Sequence, residues 1–226
     1  TWLSSKKYIH AFNSFILKQK KLKKHSRILD IGCGRGKIIS NIFERLKLVN
    51  KPIGLDIENH KDKSKKIIFK KIDGLSFISK TKITYDLILI KQTIHLLKIN
   101  QIIKLLSICK TKLNPNGKII ILSLDIKINE IPTFTLMNKK LKRSLNRDKK
   151  IIDLIIKIHP KIIIKKFIFN VKILKSEYLK MIEKRYISTL LNFSDKQIKD
   201  GLVEIDLKYK KDLKFKDRLI CLILKK

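Results

Sequence analysis

The sequence predicts an α/β chain built on a doubly wound, mostly parallel sheet. Three observations carry that prediction. Short, nearly continuous apolar runs alternate with amphipathic stretches, turn signals separate them, and 226 residues suffice for one good-sized core with inserts.

Residues 4–24 place Tyr8, Ile9, Phe12, Phe15 and Ile16 at helical spacing, with Ser4 or Ser5 available as a cap. Strands are expected at Arg27–Ile31, Pro52–Ile57, Ile67–Ile72 and Tyr85–Ile90, each apolar enough to be buried on both faces. Lys37–Leu48 and Asn100–Leu113 carry apolar residues three and four apart and read as crossover helices. The turn "NPNG" at Asn114–Gly117 then launches a fifth strand, Lys118–Leu124. Beyond Asp125 the pattern changes to a basic helical stretch at 132–150, a helix at 150–158 and a strand at Ile162–Ile173. Ser176 and Ser194 stand where caps belong, ahead of helices reaching about Arg185 and Lys208, and Arg218–Leu224 reads as the last strand. No repeat or low-complexity linker interrupts the chain.

A net charge of +35 ordinarily points to nucleic acid or an anionic membrane surface. Here the basic runs at Lys18–Lys24, Lys63–Lys66, Lys139–Arg143 and Lys208–Lys214 are scattered, and alanine occurs only at Ala11 while lysine and isoleucine abound. That is the composition of an AT-rich gene, and it favours solvated faces over a dedicated nucleic-acid surface. Cys33, Cys109 and Cys221 lie far apart with no C-x-x-C pair, so no disulfide framework or metal site is indicated, and a reducing cytoplasm fits. Lysines break every apolar run long enough to insert in a membrane, and no signal-peptide pattern opens the chain. The sequence sets no oligomeric state.

The stretch "ILDIGCGRGKI", residues 28–38, carries the first chemical signal. A P-loop reading fails, because Ile31 holds the place of its first glycine and Ile38 follows Lys37. The dinucleotide pattern fails as well, since Lys37 occupies the position of its third glycine. What remains is G-x-G-x-G at Gly32, Gly34 and Gly36, directly after a strand ending near Asp30. Twenty residues past Gly36, Asp56 closes the next strand, where a carboxylate can accept both hydroxyls of a ribose. A nucleoside without a diphosphate is the ligand this pattern suits.

Over residues 25–125 the chain resembles the class I S-adenosylmethionine-dependent methyltransferases. The resemblance lies in "ILDIGCGRG", "GLDIE", "IDGLSF", "YDLILIKQTIHLL" and "LNPNGKIIIL", five motifs in family order and spacing. It implies a Rossmann-like, seven-stranded sheet with an antiparallel last strand. It also implies helical cap insertions, to which "SEYLKMIEKRYISTLLNFSD" and "FKDRLI" correspond more loosely. One domain over 1–226 follows, with an N-terminal helix at 1–24, the donor-binding core at 25–125 and cap inserts with the final strands at 126–226. S-adenosylmethionine is the implied cofactor, S-adenosylhomocysteine its product, and no metal is implied. By the same resemblance, Asp30 and the loop of Gly32, Gly34 and Gly36 hold the amino-acid arm, and Asp56 the ribose. Ile57 meets a face of the adenine, and Asp73 with Gly74 or Leu75 its edge. The plainer readings are that Asp30 and Asp73 serve turns and that Cys33 fills the loop.

Methyl transfer from a sulfonium needs alignment first, and a base only when the acceptor must lose a proton. His95 is the best-placed base candidate, or else a packed histidine; Lys91 and Gln92 end the fourth strand and can orient a substrate or face solvent. The Asp/Asn/Ser-Pro-Pro-aromatic motif of amino-directed nucleic-acid enzymes is absent from "IKQT", and Cys109 sits on an apolar helix face. Inserts at 126–160 and 174–212 are long enough to roof the site, and Tyr8, Phe12, Phe134, Tyr178, Arg185 and Tyr186 offer aromatic and cationic groups to an enclosed pocket, so a small-molecule methyl acceptor is expected. Charge favours an RNA or protein acceptor as the alternative, and a non-catalytic donor-binding scaffold is the third.

Overall fold

The computed structural model describes residues 2–226. Ser5 caps α1 (Lys6–Gln19) by accepting a hydrogen bond from the Tyr8 amide at 3.2 Å, an interaction of ~1 kcal/mol. Next in the chain are β1 (Ile28–Ile31), α2 (Lys37–Leu46), β2 (Ile53–Asp56), β3 (Ile68–Lys71), α3 (Gly74–Lys80) and β4 (Tyr85–Lys91). A 3-10 turn at Ile94–Leu96 leads to α4 (Ile99–Thr111) and β5 (Leu113–Leu124). The second half contains α5 (Thr135–Ile158), β6 (Ile163–Ile173), α6 (Lys175–Glu183), α7 (Asp195–Lys208) and β7 (Leu213–Lys225).

All seven strands join one sheet in the order β3-β2-β1-β4-β5-β7-β6. The first five strands pair in parallel, while β7 runs antiparallel between β5 and β6. The strand order reverses between β1 and β4, and loops diverge there at the carboxyl edge to leave a crevice. Strand β4 is buried on both faces. Leu87 and Leu89 enter a core with Tyr8, Phe12, Ile39 and Ile42, whereas Ile88 and Ile90 enter a second core with Ile102, Leu105 and Leu106.

Helix α5 belongs to both cores. Met137 near its start packs in the first, and Ile151, Ile152 and Ile155 near its end pack in the second. Its 24 residues rise about 36 Å, and its first half covers a cavity beyond the ends of β4 and β5.

The structure differs from the sequence expectations in six places. Strand β3 is a mostly exposed edge and not a strand buried on both faces, because it pairs with β2 alone and half of it is lysine. The two helical stretches at 132–150 and 150–158 are one helix, because no breaker interrupts them. Helix α3 was not anticipated; with seven residues it is too short to show a period. Asn114–Gly117 lies inside β5 as an irregularity, where pairing steps from Tyr85–Leu113 to Leu87–Lys118. Leu174, not Ser176, holds the N-cap position of α6. Finally, β7 begins five residues before Arg218, because pairing with β6 extends down to Leu213.

Candidate functional site

The glycine loop leaves β1 and is tied down at once. The Leu55 carbonyl accepts from the Gly32 and Cys33 amides at 2.8 and 2.9 Å. Asp56 accepts from the Gly34 amide at 2.7 Å and, through its other oxygen, from the Glu58 amide at 3.0 Å. Each carboxylate oxygen therefore keeps a lone pair for a ligand. Gly32, Gly34 and Gly36 all have positive φ, at 78°, 53° and 68°, a region that L side chains rarely adopt. Cys33 packs over Gly54, where an added Cβ would meet its Sγ at 2.7 Å. Burial pushes the Cys33 thiol up, with the Asp30 and Asp56 carboxylates adding to the effect, so it is no thiolate.

Asp30, just inside β1, is 3% exposed. One of its oxygens, Oδ1, is buried with no hydrogen-bond partner. Burial pushes this carboxyl up to about 7; the Lys91 cation draws it down and the Asp56 carboxylate adds to the rise.

Ile57 stands 61% exposed after β2, an apolar surface open to a stacked ring. Asp73 accepts from the Ser76 amide at 2.9 Å and caps α3; the Ser76 bonds hold its carboxyl below the usual range. Gly74 and Leu75 open that helix, and Gly74 packs so closely on β1 that a Cβ would meet Ile31 at 2.4 Å.

At the end of β4, Gln92 takes a positive φ of 51°, a strained conformation for a non-glycine residue. Its amide donates to the Leu122 carbonyl at 2.7 Å. Lys91 sits over the Tyr8 and Phe12 rings, 5.6 and 5.5 Å from their centroids. Burial lowers its ammonium, and the Asp217 and Asp30 carboxylates on either side offset that effect.

Asp217, on β7, has no place in the motifs of the first half. It is 1% exposed, and accepts from the Trp2 indole at 3.3 Å. Burial raises it, while Trp2, the Lys91 cation and the Tyr8 hydroxyl pull it down. Asp217 takes an inward position in register with Leu213, Phe215 and Leu219, while Lys214 and Lys216 face out, and that alternation was available in "LKFKDRL".

Beyond Gln92 lies a cavity of about 400 Å³. Gln92 and His95 line its floor, α5 supplies Lys140, Arg147 and Asp148, Tyr186 comes from the segment after α6, and Trp2 and Asp217 complete it. Of the residues expected at a substrate pocket, Gln92 and Tyr186 reach this cavity. Tyr8 is fully buried beneath it among Phe12, Phe167 and Phe169, with its hydroxyl facing Asp217. Arg185 lies outside the lining and braces the cap, donating to Asp195 at 2.6 Å and to the Phe193 carbonyl at 3.1 Å. Among the described residues, no group of three or more metal-ligating side chains forms and no helix is long and apolar enough to cross a membrane.

Residues 5–148 match a family model described as a methyltransferase domain. No curated protein is significantly similar in sequence. Among solved structures, the chain resembles a methyltransferase from an antibiotic biosynthesis pathway of Anabaena variabilis. The two share 16% identity with a TM-score of 0.64, over 93% of this chain and 95% of that one. It also resembles an S-adenosylmethionine-dependent methyltransferase from Archaeoglobus fulgidus, at 18% identity and a TM-score of 0.53, over 96% and 94% of the two chains. A third likeness is to the plantazolicin methyltransferase BpumL in complex with S-adenosylhomocysteine and a plantazolicin analog. There identity is 17% and the TM-score 0.51, over 96% and 82% of the chains. These likenesses show a shared fold.

Proposed function

The chain belongs to the methyltransferase-domain family, and from that premise we propose that it moves a methyl group from S-adenosylmethionine to a small-molecule metabolite held under the cap. The donor's chemistry fits the residues present. Asp30 offers a buried carboxylate oxygen that lacks a donor, which an ammonium group supplies. A Cβ added at Gly34 would meet nothing within 4 Å, so the loop presents bare backbone to open space. Asp56 keeps lone pairs for two ribose hydroxyls, and exposed Ile57 offers a flat apolar contact.

When bound, the donor supplies a methyl group on a positively charged sulfur, which departs neutral. The chain's task is then alignment. In this reading Asp30, Gly32, Gly34 and Gly36 hold the amino-acid arm, Asp56 the ribose, and Asp73, Gly74 and Leu75 border the base. Gln92 and Tyr186 orient the acceptor, His95 handles its proton, and Lys91 links the two halves of the site between Asp30 and Asp217. The whole chain acts as one domain, with residues 126–226 serving as the cap.

The observation that carries the small-molecule reading is the roofed cavity of about 400 Å³ directly beyond Gln92 and His95, within the size range of metabolite sites. Calorimetry should detect binding of both S-adenosylmethionine and S-adenosylhomocysteine. Asp56→Ala should weaken both by roughly 100-fold or more, the loss of two charge-assisted hydrogen bonds. Unchanged affinity in a variant whose melting curve remains cooperative would remove Asp56 from the site. The net charge of +35 supports a second reading with an RNA acceptor. It predicts methyl labelling of RNA and affinity that falls steeply with salt.

A further inference from the structure

We propose that Asp148 is a positioning residue that holds the His95 imidazole as the general base of this site, and that the acceptor is accordingly a hydroxyl compound. The inference rests on the methyl-transfer reading and deepens it.

Asp148 is on the stretch of α5 that passes over the turn carrying His95, and both side chains line the same cavity. It is 7% exposed, although it sits in the most basic helix of the chain. Its Oδ1 is buried with no hydrogen-bond partner. The neighbouring Arg147 stands 3.7 Å away and reaches toward solvent with a side chain 58% exposed, too far to satisfy that oxygen. A buried acid with no hydrogen bond to one oxygen and only this loose ion pair is destabilising, and across the cavity wall that it shares with His95 the imidazole is its other titratable neighbour.

The charges around His95 set its state. Asp148 and Arg147 face it from α5, one raising and one lowering its basicity, and burial lowers it overall. Burial raises Asp148. A neutral imidazole beside a carboxylate at neutral pH can accept a proton, and the carboxylate stabilises the imidazolium that results. The remaining charges in the cavity select the acceptor. Lys140 and Arg147 line it and disfavour a cationic amine. Asp217 is already engaged by Trp2 and Lys91.

The acceptor oxygen bonds to the methyl carbon as the carbon–sulfur bond breaks, and that bond's electron pair stays on sulfur. The hydroxyl proton passes to the His95 imidazole and from there to solvent. A neutral amine needs no such base during transfer, whereas a hydroxyl does.

The test reads the imidazole directly. NMR titration of His95, assigned by its loss in His95→Gln, should show the midpoint moving to lower pH in Asp148→Asn and to higher pH in Arg147→Gln. A midpoint unmoved in both variants overturns the pairing, and the second variant decides the matter if the first fails to fold. Labelled-methyl transfer to a panel of phenols and aliphatic alcohols, set against matched primary amines, tests the acceptor. Turnover of a hydroxyl compound that falls roughly 100-fold in His95→Gln and at least 10-fold in Asp148→Asn supports the proposal. Turnover confined to amines, no turnover of any hydroxyl compound, or turnover untouched by either variant overturns it. Calorimetry with S-adenosylmethionine on the same samples separates the two claims. Absent donor binding defeats the methyl-transfer reading, and intact donor binding with an unmoved His95 midpoint defeats this inference alone.

Discussion

Asp30→Asn should give a protein more heat-stable than the parent at pH 8 and far poorer at holding the donor. Burial holds the Asp30 carboxyl at about 7 in the folded chain, against ~4 in the unfolded chain. An acid raised on folding binds more protons in the native state across that window, so stability falls as pH climbs from about 4 to about 7 and stays low above it. The full effect is at most roughly 4 kcal/mol, and Lys91 and local relaxation reduce it. A gain of about 2 kcal/mol corresponds to roughly 4–8 °C in melting temperature for a chain of this size. The gain should be largest at pH 8, smaller at pH 5 and absent below about pH 4. A carboxylate facing the donor's ammonium also makes binding release a proton. Donor affinity in the parent should therefore rise with pH up to about 7, by as much as tenfold per pH unit. In Asp30→Asn it should be weak and flat. A variant melting at or below the parent at pH 8 would mean that the orphaned oxygen of Asp30 is not under electrostatic stress.

Gly32→Ala and Gly34→Ala should separate folding from binding. Both positions have positive φ, so each alanine costs about 1 kcal/mol in backbone strain. At Gly32 the new Cβ would lie 2.0 Å from Thr93 Oγ1, with two further Thr93 atoms within 2.8 Å. Thr93 cannot simply swing away, because its hydroxyl donates to the Lys91 carbonyl at 3.0 Å and helps shape the end of β4. Gly32→Ala should therefore destabilise the chain by roughly 2–4 kcal/mol and abolish donor binding along with it. Thr93→Ala in the same chain should restore part of the stability. Gly34→Ala meets no atom within 4 Å and should leave the melting temperature within a few degrees of the parent. It should still weaken S-adenosylhomocysteine at least 10-fold, since its methyl occupies the face offered to the ligand. Equal affinity in Gly34→Ala and the parent, by calorimetry, would move the donor off that face.

The order of elements was legible because β1, β2, β4 and the second half of β5 are short apolar runs that pack inside the sheet, and each strand from β1 to β5 is bounded by a recognisable turn or helix. The glycine loop and Asp56 were legible for a related reason: glycines in a row after a strand, and an acid closing one, have few structural uses. Helix α3 escaped because seven residues show no period. The strained backbone of Gln92 escaped because nothing local calls for a positive φ there; its amide bond to Leu122 belongs to the neighbouring strand. Asp148 was within reach, since it follows Leu141 by seven residues and precedes Ile152 and Ile155 by four and seven. That spacing places an acid on the buried stripe of a basic helix.

Local chemistry along the chain was enough for the donor half of the site, because each of its parts stands at the end of a strand where the residue types alone mark it, even though Leu55 and Asp56 of β2 fix the loop's conformation. The acceptor half depends on contacts across long separations. Trp2 meets Asp217 across 215 residues, Lys91 sits between acids from β1 and β7, and α5 brings Asp148 over His95 by spanning both cores. Such meetings follow from sheet order and helix crossing, which packing of the whole chain sets.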